Sequence, residues 1–184
     1  GVGMMLADGG TVNPGKAAES FFWLGGGYLA GIPTPIYVFA AVCIVAGAVL
    51  SYTPFGRAIF AVGSNEEAAR LSGINVPGTI FAVYTICGFL AALSGLIFLS
   101  RLSVGDPNSG LGLELEAITI AVIGGTSLFG GEGSVRGTVG GAMILAIIAN
   151  VLNLAGVSPF SQQVVKGAII ILAVLLETGR KKRA

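Results

Sequence analysis

No charged residue occurs between positions 79 and 99, and the run TIFAVYTICGFLAALSGLIFL is apolar almost throughout. A helix needs about 20 such residues to cross the hydrocarbon core of a bilayer. Four further stretches share the character: 36–52, 117–131, 137–155 and 164–176. The 36–52 run is bounded by Pro33, Pro35 and Pro54, the 117–131 run is short and broken by glycines, and the last carries Lys166 near one end. Lys166 can snorkel its ammonium to the interface. With 54% hydrophobic and only 10% charged residues, the chain is excluded from the disordered, nucleic-acid-binding and ordinary soluble classes. A net charge of +1 implies no polyanionic partner. The absence of His removes His-dependent triads and proton relays, and most catalytic zinc sites. No catalytic, metal or cofactor site is expected. The expected fold is all-α and polytopic, about five transmembrane helices.

The segments between the spans differ in character. Residues 8–35 are rich in Gly and Pro and cluster Phe21, Phe22, Trp23 and Tyr28, as an interfacial aromatic belt or a short helix lying on the membrane would. Asp106-Pro107-Asn108-Ser109-Gly110 is a turn signal. Cys43 and Cys87 lie inside apolar runs and read as small buried hydrophobes. The chain starts at Gly1 in an apolar patch without a basic leader, which reads as a piece of a longer protein.

With five spans, the loop 53–78, the connection 132–136 and the basic tail 178–184 share one side. That side holds Arg57, Arg70, Arg136, Arg180, Lys181, Lys182 and Arg183, against Lys16, Arg101 and Lys166 on the other. The excess of basic residues places the tail and the 53–78 loop in the cytoplasm. If 117–131 re-enters rather than crosses, the tail changes sides.

The loop 53–78 should contain a short helix. Ser64 with Glu67 three residues on is a capping-box pattern, Glu66 and Arg70 are i,i+4 partners, and Gly73 is a C-terminal stop. Ala68, Ala69 and Leu71 supply a small apolar face. Most helix connections are only about 2–8 residues long, so a longer one carrying its own helix suits docking to a partner, as well as a plain solvated connector.

The glycine-rich run GGTSLFGGEGSVRGTVGG at 124–141 has no Lys for a phosphate loop and no dinucleotide fingerprint. Gly133, Gly137 and Gly141 repeat every fourth residue, the spacing that lets membrane helices approach closely. Irregular backbone in a membrane must be buried in protein or line a cavity, so Gly124, Gly125, Thr126 and Ser127 could instead line a path. Tyr84, Gly88, Ala92 and Gly95 form one stripe, and Ala142, Ala146, Asn150 and Asn153 another. Tyr84, Asn150 and Asn153 can contact a polar substrate or hold helices together. Gly88, Gly95, Gly137 and Gly141 are candidate packing positions. No ionisable group lies deep in a span, which disfavours a proton- or sodium-coupled carrier.

Gly56-Arg57, Ala61-Val62-Gly63, Asn65 and Ala68-Ala69-Arg70-Leu71-Ser72-Gly73-Ile74 closely resemble the coupling loop of sugar permeases of ATP-binding cassette importers, in the ribose, xylose and galactose branch. The resemblance continues through Glu114-Leu115, Ile123-Gly124-Gly125-Thr126-Ser127-Leu128, Gly130-Gly131, Gly133-Ser134 and Gly137-Thr138. It ends on Gln162-Gln163 and Lys166-Gly167. It covers essentially the whole chain, in order, and departs only in the acidic Glu66-Glu67. Members have roughly twice as many spans, so the resemblance implies that residues 1–184 are the C-terminal half of one transmembrane permease domain, truncated N-terminally. It implies a multi-pass subunit in a bacterial or archaeal plasma membrane that translocates a monosaccharide and does not itself hydrolyse ATP. Its implied partners are a cytoplasmic ATPase subunit, an extracytoplasmic sugar-binding protein, a second permease subunit, identical or not, and membrane lipid. The coupling residues would be Gly56, Arg57, Gly63, Asn65, Ala68, Ala69, Arg70 and Gly73. A branched-chain amino acid permease is the alternative within the superfamily, and a self-contained channel or secondary carrier the alternative outside it.

Overall fold

A computed structural model describes residues 19–102, 110, 112–158, 161–165, 167–169 and 171. The described elements are α1 Glu19–Gly26, β1 Tyr28–Leu29, β2 Ile32–Pro33, α2 Thr34–Tyr52, α3 Pro54–Ser64, α4 Glu66–Leu71, α5 Val76–Leu102, α6 Leu113–Ile123 and α7 Val135–Leu154. Three of the expected spans are helices long and apolar enough to cross a membrane: α2 with 19 residues, α5 with 27 and α7 with 20. At 1.5 Å per residue they reach roughly 28, 40 and 30 Å.

The stretch read as 117–131 is divided. Helix α6 starts earlier, with Glu114 and Glu116 in its first turn, and stops at Gly124 after 11 residues, roughly 16 Å. The acidic residues suit the positive end of the helix dipole. Gly124 and Gly125 then end the helix, so α6 alone is about half a bilayer long. Of the stretch 164–176, residues 164–165, 167–169 and 171 are helical. Lys166, Lys16, the turn residues 106–109 and the tail 178–184 lie outside the described residues.

The chain divides into two compact units, residues 1–45 with 80–111 and residues 46–79 with 112–184. In the first unit, α1 is tied to the end of α5 by one side chain. The Gly25 amide donates to Ser100 Oγ at 2.7 Å, and the same hydroxyl donates to the Phe21 carbonyl at 2.6 Å. Ser100 is only 2% exposed, and a side chain at Gly25 would strike the backbone of Ser100 and Arg101. β1 and β2 form a minimal hairpin pairing Tyr28 with Pro33 and Leu29 with Ile32. Its two turn residues, Ala30 and Gly31, have φ of 49° and 82°, the conformation that matches the twist of a two-residue hairpin. The aromatic cluster of 21–28 is thus a short helix and a hairpin.

Among the described residues only Ala69, Val76 and Leu145 are buried hydrophobics. Phe81, Tyr84 and Phe89 on α5, and Ile147 and Leu154 on α7, are each more than 60% exposed. A chain with so little apolar burial has its apolar surface satisfied by lipid and neighbouring helices rather than by a water-excluding core. Cys43 is half-buried and Cys87 exposed, both as free thiols. The expected burial of Cys87 is not met, because its face of α5 has no cover among the described residues.

Candidate functional site

The second unit contains the segment singled out as a coupling loop, and it is almost wholly helical. Thr53 breaks α2 from α3: its hydroxyl donates to the Val49 carbonyl at 2.6 Å and accepts from the Gly56 amide at 3.1 Å. Pro54 occupies the first helical turn, where its missing N–H costs nothing. Gly56 is buried against the Leu50 carbonyl, leaving no room for a Cβ. The chain therefore turns sharply out of α2 into an 11-residue helix, α3. Reading 53–78 as a polar loop missed α3. Its signals were the Thr-Pro start and the apolar Phe55, Ile59, Phe60 and Val62.

One residue joins α3 to α4. Asn65 donates its amide to the Ala61 carbonyl at 3.1 Å, closing α3. Its Oδ1 accepts from the Ala68 amide at 2.9 Å, opening α4. The N-cap is therefore Asn65 and not Ser64, which remains the last residue of α3. Asn accepts as well as Ser at this position. Glu66 and Glu67 lie in the first turn of α4 and Arg70 in its last, each favourable to the dipole.

Gly73, at φ 83°, ends α4. The Gly73 amide donates to the Arg70 carbonyl at 3.0 Å and the Ile74 amide to the Ala69 carbonyl at 3.1 Å, the paired bonds of a Schellman cap. The same pattern closes α6 around Gly125 and α7 around Gly156. Asn75 then caps α5 through the Gly78 amide at 3.1 Å.

The apolar face of α4 is split by burial. Ala69 is 4% exposed and faces this chain, whereas Leu71 is 81% exposed. Ala68 and Arg70 are exposed as well. The three-residue face expected of Ala68, Ala69 and Leu71 is therefore corrected. Ala68 and Leu71, one helical turn apart, form the outward face, and Ala69 is a packing residue. Arg57 is exposed on α3.

The end of α3 meets the glycine-rich connection between α6 and α7. A Cβ on Gly63 would lie 2.7 Å from the Gly131 amide nitrogen. A Cβ on Gly130 would strike the Gly63 carbonyl oxygen, and one on Gly131 would strike Ser64 Oγ. Gly130 and Gly131 have φ of 87° and 79°, which glycine adopts without penalty. The loop is closed by the Ser127 amide donating to the Glu132 carbonyl at 3.0 Å.

Below it, α6 and α7 touch backbone to backbone. A Cβ on Gly124 would meet Gly137 and Thr138 backbone atoms at 2.7 Å, and one on Gly141 would meet the Ile120 carbonyl oxygen and the Gly124 nitrogen. Gly137 lies against the Gly124 carbonyl. Gly88 and Gly95 have open space around them among the described residues.

Of the candidate path residues, Gly124, Gly125, Thr126 and Ser127 sit together at the end of α6. Gly125 is exposed, and Thr126 and Ser127 are half-buried. Asn150 and Asn153 are exposed toward the other end of α7. Asn150 is about 20 Å along the helix from Gly137, too far for one sugar to touch both groups. Asn153 Oδ1 accepts from Gln162 Nε2 at 2.8 Å, and that nitrogen also donates to the Val157 carbonyl at 3.0 Å. Tyr84 belongs to the first unit and is 75% exposed.

Comparison with known proteins gives the class. Residues 6–174 match the family described as "Branched-chain amino acid transport system / permease component". The ribose import permease protein RbsC of Escherichia coli K12 is 46% identical over 183 residues, covering 98% of this chain and 57% of that protein. The L-arabinose transport system permease protein AraH of E. coli K12 is 40% identical over 99% of this chain and 55% of that protein. The xylose transport system permease protein XylH of E. coli K12 is 47% identical over 88% of this chain and 41% of that protein. The chain thus spans about half the length of the curated relatives it matches. No solved structure is a significant match. The chain belongs to this permease family.

Proposed function

We propose that this chain is part of a translocation subunit that imports a monosaccharide, driven by a separate ATPase. The observation that carries the substrate class is the set of relatives named for ribose, arabinose and xylose, each matched along most of this chain. The geometry of α4 supports the coupling role. It is a six-residue helix fixed at both ends by caps, and it presents Leu71 and Ala68 outward. Such a knob suits a groove in a partner.

The resemblance of residues 56–74 to a coupling loop supports a cytoplasmic α4, to which the ATPase binds. The sugar-binding protein delivers from the other side, and a second permease subunit completes the path. The polar groups at the end of α6 and along α7 are successive contacts on the route. The family, named for branched-chain amino acid transport, favours a branched-chain amino acid as the second reading.

The test reconstitutes the intact permease with its ATPase and binding protein in vesicles. ATP-dependent entry of ribose, arabinose or xylose is expected. Uptake of leucine with none of sugar would select the second reading, and uptake without ATP would overturn both.

A further inference from the structure

We propose that the backbone contact of Gly63–Ser64 with Gly130–Gly131 is a rigid joint that carries movement of α4 into the α6–α7 hairpin. This rests on the reading of α4 as the docking helix. Three observations within the second unit make the joint stiff. Asn65 alone separates α4 from α3 and is hydrogen-bonded into both helices, so α4 cannot swing without moving the end of α3. That end meets Gly130 and Gly131 through the main chain of Gly63 and through Ser64, whose short side chain packs directly on Gly131 and leaves little room to absorb a push. Beyond the joint, the loop is closed between Ser127 and Glu132, and Gly124, Gly137 and Gly141 hold α6 and α7 in the same kind of contact.

Close-packed matter transmits displacement because it has low compressibility. Six glycines where only hydrogen fits, Gly63, Gly130, Gly131, Gly124, Gly137 and Gly141, thus connect the docking helix to the half-length helix α6. The glycines of this chain are not uniformly used this way: at Gly47, Gly88, Gly95 and Gly140 an added methyl group would have nothing within 4 Å. Gly63, Gly130 and Gly131 are positioning residues for transport. They touch neither sugar nor ATPase in this scheme: Gly63, set among the coupling residues by the resemblance, lies against Gly131 instead of on the outward face of α4.

The experiment uses the intact permease with its ATPase and binding protein in vesicles, and measures sugar moved per ATP hydrolysed. Gly63→Ala forces a methyl group against the Gly131 amide and opens the joint. The ATPase should still co-purify and its basal hydrolysis should stay within about twofold, while sugar moved per ATP falls at least tenfold. Gly140→Ala, with open space, should leave the ratio unchanged. A purely structural defect would instead lower insertion, docking and uptake together.

If Gly63→Ala does not insert, the wedge is delivered after assembly. Ser64→Cys, with Cys43→Ala and Cys87→Ala, is treated with methyl methanethiosulfonate. The ratio should fall on modification and recover on reduction. A normal ratio in Gly63→Ala or in the modified protein overturns the joint. If Leu71→Asp also leaves the ATPase bound, the docking reading itself has failed; if Leu71→Asp strips the ATPase, only the joint has.

Discussion

Gly140 and Gly141 are neighbours on α7, yet alanine should act on them with opposite sign. In a helix interior, Gly→Ala gains up to about 1 kcal/mol from backbone entropy and propensity. At Gly140 nothing lies within 4 Å of the added methyl, so that gain is kept. At Gly141 the methyl would strike the Ile120 carbonyl oxygen and lie 2.9 Å from the Gly124 nitrogen and 3.2 Å from its Cα. Overpacking costs about 1–3 kcal/mol where side chains can adjust. All three contacts are backbone, which can yield only by separating α6 from α7, so the upper end applies. The net expectation for Gly141→Ala is a loss of about 2 kcal/mol. Thermal unfolding of the intact permease in detergent should show Gly141→Ala on the order of 4 °C lower and Gly140→Ala about 2 °C higher. Shifts of the same sign at both positions would show that the helices do not meet where Gly124 and Gly141 touch.

Ala68→Arg or Leu71→Asp on the exposed face of α4 should preserve insertion and weaken ATPase co-purification at least tenfold; normal ATP-coupled uptake would refute docking through this face. Arg70→Ala should change uptake little, since Arg70 is exposed and an exposed i,i+4 pair is worth only about 0.3–0.5 kcal/mol. Helix α5 is long enough to cross, so Ser64→Cys should be shielded from an impermeant external thiol reagent while Gly110→Cys reacts. Labelling of Ser64→Cys from outside would reverse the orientation. Ser100→Ala removes both hydrogen bonds that hold α1 and leaves the Gly25 amide without its partner, at about 1–3 kcal/mol. Amide exchange at residues 21–26 should accelerate well beyond that of α7, and unchanged protection there would show that other contacts hold α1.

The long helices were legible because bilayer length and the absence of charge are properties of a single run of residues. Gly73 was legible as a stop for the same reason: its role is local. The errors came where distant residues decide. Ser64 and Asn65 are both good caps, and only the docking of Gly63–Ser64 on Gly130–Gly131 accompanies the extension of α3 through Ser64. Ala68 and Ala69 look alike in sequence, and the elbow at Asn65 determines which turns inward. Glu114 and Glu116 hid the true start of α6, because charge was read as the edge of a span rather than as dipole compensation. The glycine-rich stretch announced close approach but could not say to what. Its contact with Gly63 joins residues more than sixty positions apart.

Between Tyr52 and Val76 only Thr53, Asn65 and residues 72–75 are not helical, and each of them takes part in a cap or turn hydrogen bond. Surface connections ordinarily absorb insertions and deletions; this one has no slack in which to hide an extra residue. One residue added to α3 would rotate everything after it by about 100°, turning Ala69 outward and moving Gly63 out of register with Gly130. One added at the Asn65 elbow would separate the two caps that this side chain and its amide serve together. Length is therefore the more stringent inheritance here than wording. Proteins that dock in this manner are expected to differ freely at exposed positions such as Glu67 while keeping the spacing from Thr53 to Asn75 unchanged.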